Sequence, residues 1–144
     1  MAHTYANNFI HCIFSTKDRR PLIPATRMTA LYAYLGGIAH GEGFSLLAAG
    51  GTTNHVHLLF VLPAQQSLAH AVQKLKGSSS RWIGRQFSWQ EGYGAFSVSP
   101  SQVTTVKKYI RNQEQHHRRQ DFEKEFTDLL RHCGIAFDER YVLG

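Results

Sequence analysis

The run Asn54-His55-Val56-His57-Leu58-Leu59-Phe60 constrains this chain more than any other stretch. It reads as a buried strand carrying histidines at i and i+2. Side chains on a strand alternate between faces, so His55 and His57 point the same way, roughly 6–7 Å apart at their Cα atoms. Two imidazoles on one face of a rigid strand can share a metal ion. A lone pair of this kind is also what two core histidines would give, so the rest of the chain must decide.

Lys108-Tyr109-Ile110-Arg111-Asn112-Gln113 reads as helix, with Tyr109 and Gln113 at i and i+4 on one face. A phenol and an amide oxygen beside two histidines point to metal-assisted nucleophilic chemistry on a phosphate. Tyr109 is the candidate nucleophile. A phenol with a pKa near 10 is a weak one at neutral pH, and a polarised phosphate or the adjacent Lys107 or Lys108 would help it react. Neutral ligands leave an ion's charge available to the phosphate. Mixed nitrogen and oxygen ligation suits Mg2+ or Mn2+, with zinc possible on ligand grounds. A zinc protease is disfavoured, since the sequence holds no HExxH.

The remaining elements follow from periodicity. Residues 9–14 read as a strand, and a polar, basic connector follows at 15–21. Met28, Leu31, Leu35 and Ile38 make one face of a helix, with Pro24 placed to open it. Residues 44–49 read as a second strand, Gly50-Gly51-Thr52-Thr53-Asn54 as a turn, and 55–62 as the third strand of a hairpin. Ser67 can cap a long helix whose Gly77-Ser78-Ser79-Ser80 is either a bend or a place where a backbone comes close. Residues 93–99 read as a fourth strand, and Ser101 can cap the tyrosine helix, which should end near 116–119. Asp121 caps a last helix with Phe122, Phe126, Leu129, Leu130 and Cys133 on one face. This order predicts an α+β fold: an antiparallel sheet of about four strands with helices packed on one face, ferredoxin-like or RRM-like. The tyrosine-bearing helix and a further helix are added at its C-terminal side. One domain, 1–144, is expected.

Sixteen Lys and Arg against ten Asp and Glu give a net charge of +6, which favours a polyanion and nucleic acid first. Lys17, Arg19 and Arg20 in the connector, with Lys74, Arg81 and Arg85 on a face of the helix after the third strand, are the candidate DNA-binding residues. Cys12 and Cys133 have no paired spacing and read as reduced core thiols. With no membrane-length apolar run and no signal-peptide pattern, the cytoplasm is the expected compartment. His11 reads as a core residue or a support for the metal ligands, and His116, one turn past Gln113, as solvent-facing or else in touch with a ligand or phosphate. His117 carries no special signal.

Asn54-His55-Val56-His57-Leu58-Leu59 resembles the HUH motif of single-strand DNA nucleases. Val106-Lys107-Lys108-Tyr109-Ile110-Arg111-Asn112-Gln113-Glu114 resembles the helix of the single-tyrosine HUH transposases, which include the REP-associated tyrosine transposases. HUH alone is short; HUH followed by Tyr-xxx-Gln in a chain of this size is specific. The resemblance implies His55, His57 and Gln113 as metal ligands and Tyr109 as the nucleophile that forms a 5′-phosphotyrosine. It implies DNA hairpins at element ends as the recognised single-stranded substrate, and a homodimer whose tyrosine helices dock in cis or in trans. Thr53-Asn54 stands where many relatives carry an acidic residue before the first histidine. The competing expectation is a non-catalytic or domesticated module that binds hairpin or single-stranded nucleic acid without cutting it.

Overall fold

The computed structural model describes residues 3–117 and 121–142. Four strands, β1 (Phe9–Ser15), β2 (Ser45–Thr52), β3 (His55–Val61) and β4 (Gly94–Val98), form one antiparallel sheet in the order β2-β3-β1-β4. This is the ferredoxin-like arrangement expected from the sequence. In chain order the helices are α1 (Met28–Gly41), α2 (Leu68–Ile83), α3 (Val103–Arg111), α4 (Gln113–His116) and α5 (Phe122–His132).

Strand alternation sorts the sheet into two faces. Cys12, Phe14, Val56, Leu58 and Phe60 point to one of them, where Leu31, Leu35 and Ala39 of α1 and Ala71, Val72 and Leu75 of α2 complete the main core. His11, Ile13, His55, His57 and Leu59 occupy the alternate positions of β1 and β3 and point to the other. That second face carries two smaller apolar clusters, one beneath α3 around Ile110 and one beneath α5 around Phe122, Phe126 and Leu130. The sheet thus separates a large structural core from the face that holds the histidines.

Local details follow the side chains. Ser67 caps α2 by accepting from the His70 N–H at 3.1 Å. α2 runs unbroken through Gly77-Ser78-Ser79-Ser80, because Ser79 turns inward. Its hydroxyl donates to the Leu75 carbonyl and accepts from Trp89 Nε1 at 3.0 Å. Small residues here let the Trp89 loop close on the helix. Lys76 Nζ donates to the carbonyls of Gln90, Glu91 and Gly92 and fixes the entry to β4.

Several expectations are corrected. Gly50 and Gly51 belong to β2, not to a turn; the chain reverses at Thr53-Asn54. A Cβ on Gly50 would run into the Ile110 carbonyl oxygen, so glycine lets α3 lie directly on the strand. Ser101 does not cap α3 but sits in a 3-10 turn before it, with its hydroxyl 3.2 Å from that of Ser99. The tyrosine helix is not continuous: it breaks at Asn112, between Tyr109 and Gln113. α4 ends at His116, and Arg118 and Arg119, where the end was expected to extend, lie outside the described residues. Cys12 is buried as expected, whereas Cys133 is exposed just past the end of α5. Arg85 lies beyond α2, after Gly84 turns the chain at φ 147°, so it does not share a helix face with Lys74 and Arg81. Among the described residues no helix is long and apolar enough to cross a membrane.

Candidate metal and nucleophile site

β3 presents His55 and His57 side by side, with ring centroids 5.2 Å apart and no exposed surface on either residue. α3 lies over them and brings Tyr109 within 5.7 Å of the His57 ring, centroid to centroid. The kink at Asn112 turns Gln113 inward, so its Oε1 sits 3.1 Å from His55 Nε2. All four residues expected at the site are therefore brought together within one chain, and Tyr109 faces its own histidine pair.

Two further polar side chains at this point were not anticipated. α5 inserts Glu125, and α4 is followed by His117. Glu125 Oε1 accepts from His57 Nε2 at 2.9 Å and from His117 Nε2 at 3.0 Å. Glu125 Oε2 accepts from the Tyr109 hydroxyl and, at 3.2 Å, from Gln113 Nε2. His116 Nε2 lies 3.3 Å from the same oxygen. A signal for Glu125 was present in the sequence. It falls three residues after Phe122 and four before Leu129, a carboxylate inside an apolar helical stripe. For His117 no periodicity gave a cue, because the turn after α4 decides where it points.

Supporting contacts fix the two strand histidines. His11 Nε2 lies 2.9 Å from His57 Nδ1 and its ring stacks at 5.1 Å, the supporting role expected of it. Asn54 Oδ1 accepts from the Thr52 hydroxyl at 3.0 Å and lies 2.9 Å from His55 Nδ1. Asn54 thus serves as an acceptor for the first histidine. Phe122 stacks on the other side of His55, with centroids 4.6 Å apart.

This network fits a divalent cation. With its Nδ1 proton directed at Asn54, His55 carries a lone pair on Nε2, aimed at Gln113 Oε1. The Gln113 amide is oriented by its own donation to Glu125. Two acceptors then face each other with no proton between them, and a bound cation would satisfy both. One nitrogen each from His55, His57 and His117 and one oxygen of Glu125 also lie within 4.8 Å of one another. Burial, reinforced by His57, lowers His55 to about 3, and burial lowers His57 as well, so both imidazoles are neutral at neutral pH, the form in which a ring nitrogen can take a cation. Burial and the Glu125 hydrogen bond raise Tyr109 well above the ordinary phenol range. Burial pushes Glu125 up, but hydrogen bonds from His117, His57 and Tyr109 outweigh it and hold the carboxyl well below its usual range.

The basic candidates separate into two groups. Lys17, Arg19 and Arg20 lie on the turn after β1, which meets Asn54: Asn54 Nδ2 donates to the Arg19 carbonyl at 3.4 Å, and the Arg19 N–H donates to the Thr16 carbonyl at 3.0 Å. Lys74 and Arg81 are on α2, across the sheet from the histidines, where Lys74 Nζ lies 3.8 Å from a Glu42 oxygen. Arg85 is beyond the same helix end and is exposed.

Comparison with known proteins agrees with this architecture. The chain is 26% identical over 124 residues to the transposase of insertion sequence element IS200 from Salmonella typhimurium, covering 78% of this chain and 81% of that one. It is 28% identical over 116 residues to the ISDra2 transposase TnpA of Deinococcus radiodurans, covering 72% and 81%. A crystal structure assigned as a Deinococcus radiodurans transposase superposes with a TM-score of 0.62 at 26% identity, covering 78% of this chain and 96% of that chain. A REP-associated tyrosine transposase bound to a REP hairpin superposes with a TM-score of 0.60 at 15% identity, covering 76% and 68%, a likeness of fold. The family model for IS200-like transposases spans residues 4–113, from the start of the sheet through both histidines and Tyr109 to Gln113, and the chain belongs to that family.

Proposed function

We propose that this transposase cuts and rejoins single-stranded DNA through a covalent 5′-phosphotyrosine. The observation that carries the reading is the meeting of Tyr109, His55, His57 and Gln113 at one point, from three separate elements. The Tyr109 hydroxyl oxygen attacks the scissile phosphorus, the bond to the 3′-oxygen breaks, and the phenol proton is balanced by protonation of the released 3′-hydroxyl. That hydroxyl later attacks another phosphotyrosine and restores a phosphodiester. Each step exchanges one ester for another, so no external energy is needed.

His55 and His57 through Nε2, with Gln113 through Oε1, would hold the cation, and His117 and Glu125 stand within reach of it. A bound Mg2+ or Mn2+ supplies Lewis-acid polarisation of a phosphate oxygen. His11 and Asn54 keep the two ligand rings in orientation. Lys17, Arg19 and Arg20 contact phosphates near the cleavage point, and Lys74, Arg81 and Arg85 contact phosphates farther away, as on a hairpin folded past the sheet edge. DNA hairpins at element ends are the recognised feature, by analogy with the hairpin-bound structural neighbour. The whole chain, 1–144, acts as one domain in the cytoplasm. β2 and β4 are the sheet edges, with backbone groups that a second copy can pair with to give a homodimer.

The test is a labelled single-stranded oligonucleotide carrying the element end, incubated with protein and Mg2+ or Mn2+. A denaturant-resistant protein–DNA adduct that requires Tyr109 and the metal is expected. Hairpin binding with no adduct under any metal would instead identify a non-catalytic binding module.

A further inference from the structure

Among the described residues Tyr109 keeps part of its surface open, but the histidine pair behind it is closed off. His55 and His57 are fully buried, and Gln113 and Glu125 are 1% and 3% exposed. A surface cleft of about 370 Å³ reaches His117 and Phe122, but those side chains and α5 stand between it and the ligand pair. For attack, the scissile phosphorus must come within about 3–3.5 Å of the Tyr109 oxygen. It must also present an oxygen toward the histidine pair. Glu125 already fills that position. One of its oxygens takes the Tyr109 hydroxyl and the Gln113 amide, and the other takes His57 and His117. An anionic group bridging the nucleophile and the metal ligands is what the phosphate itself would be.

The helix that delivers Glu125 stands apart from the machinery it covers. The family-matched segment, 4–113, contains both histidines, Tyr109 and Gln113, whereas α5 lies wholly outside it. α5 is seated by a small cluster of its own, Phe122, Phe126 and Leu130 against Ile13 and Phe96, and not by the main core. A Cβ at Gly94 would press on the Phe126 ring, so the sheet is shaped to receive this helix.

Resting on the function proposed above, we propose that α5 is a displaceable plug and that Glu125 is an internal stand-in for the scissile phosphate. The closed arrangement keeps the tyrosine and the ligand pair occupied. A single strand gains the site by replacing Glu125, which moves out with α5. Cleavage is thereby coupled to DNA able to compete with the carboxylate.

The test uses full-length protein in chelator, where neither metal nor chemistry contributes, and reads the affinity of a fluorescent single strand spanning the cleavage point by anisotropy. Two variants act differently on the plug. Glu125→Ala removes the carboxylate, and Leu130→Ala loosens the seat of α5 without changing charge. The exposed Glu123→Gln, on the same helix, measures the effect of charge alone. If the open form is a minor state, affinity in both plug variants should rise roughly tenfold or more, because apparent affinity scales with the competent fraction. Glu123→Gln should change it little. Affinity that is unchanged or weaker in Leu130→Ala, or a rise in Glu125→Ala no larger than in Glu123→Gln, overturns the plug. Adduct formation with metal reports on the proposed chemistry separately, so either idea can fail alone.

Discussion

Tyr109→Phe removes one oxygen from the site and should abolish the covalent adduct while leaving hairpin binding intact; an adduct surviving in that variant would remove Tyr109 from the mechanism. His55→Ala and His57→Ala should each abolish metal-dependent cleavage, and normal cleavage by either in chelator would remove the metal from the chemistry. Asn54 tests the supporting layer. Its oxygen is the acceptor for His55 Nδ1, so Asn54→Ala should weaken Mn2+ binding about 10–100-fold in calorimetry, the usual cost of losing such an orienting partner. Protons compete with folding at the same residues. Burial, with His57, lowers both His11 and His55 from 6.5 to about 3. The unfolded chain therefore binds protons first. In metal-free protein their contribution to stability is complete above about pH 6.5 and is lost as pH falls toward 3. Thermal unfolding in chelator, followed from neutral to acid pH, should show a falling Tm across that window, and a flat one would contradict it. At this scale the sequence was partly legible. His55, His57, Tyr109 and Gln113 announce themselves by spacing within one strand and one helix. Glu125 shows only as a carboxylate inside the apolar stripe of α5, and His117 gives no periodic cue.

Elements were easier to read than their junctions. Apolar periodicity located all four strands and the long helices, because burying one face of each is what drives them to form. The errors fell where a tertiary contact overrides local preference. Gly50-Gly51 has the composition of a turn, yet it lies in β2, where a Cβ at Gly50 would meet the Ile110 carbonyl of α3 and one at Gly51 would meet the backbone of His55 and Val56. This gives a prediction for the element as a whole. Gly50→Ala should destabilise the protein by about 1–3 kcal/mol, the ordinary cost of overpacking a tight contact, and should lower the rate of adduct formation by lifting α3 and Tyr109 away from β3. Denaturant melts and single-turnover cleavage would measure the two effects; a Gly50→Ala protein of unchanged stability would contradict the close approach. The break at Asn112 falls at a similar place, just before Gln113 meets His55 at 3.1 Å.

On the scale of the whole molecule, charge and assembly come to the front. If the connector and the far-side basic residues contact phosphates, single-strand affinity should fall with salt with a log–log slope of about 0.7 per contact. Removing Lys17, Arg19 and Arg20 together should flatten that slope, and binding that ignores salt would exclude the phosphate contacts. The sheet edges leave room for a second copy. Tyr109 reaches the histidines of its own chain, which has a consequence in genetics. Consider a cell carrying two defective alleles, one encoding Tyr109→Phe and the other His57→Ala. Were the tyrosine helix exchanged between subunits, half of the sites in a mixed dimer would pair a good tyrosine with good histidines, and the alleles would rescue each other. With the helix kept at home, every site inherits one lesion or the other. The two alleles should then fail to complement, however well their products assemble.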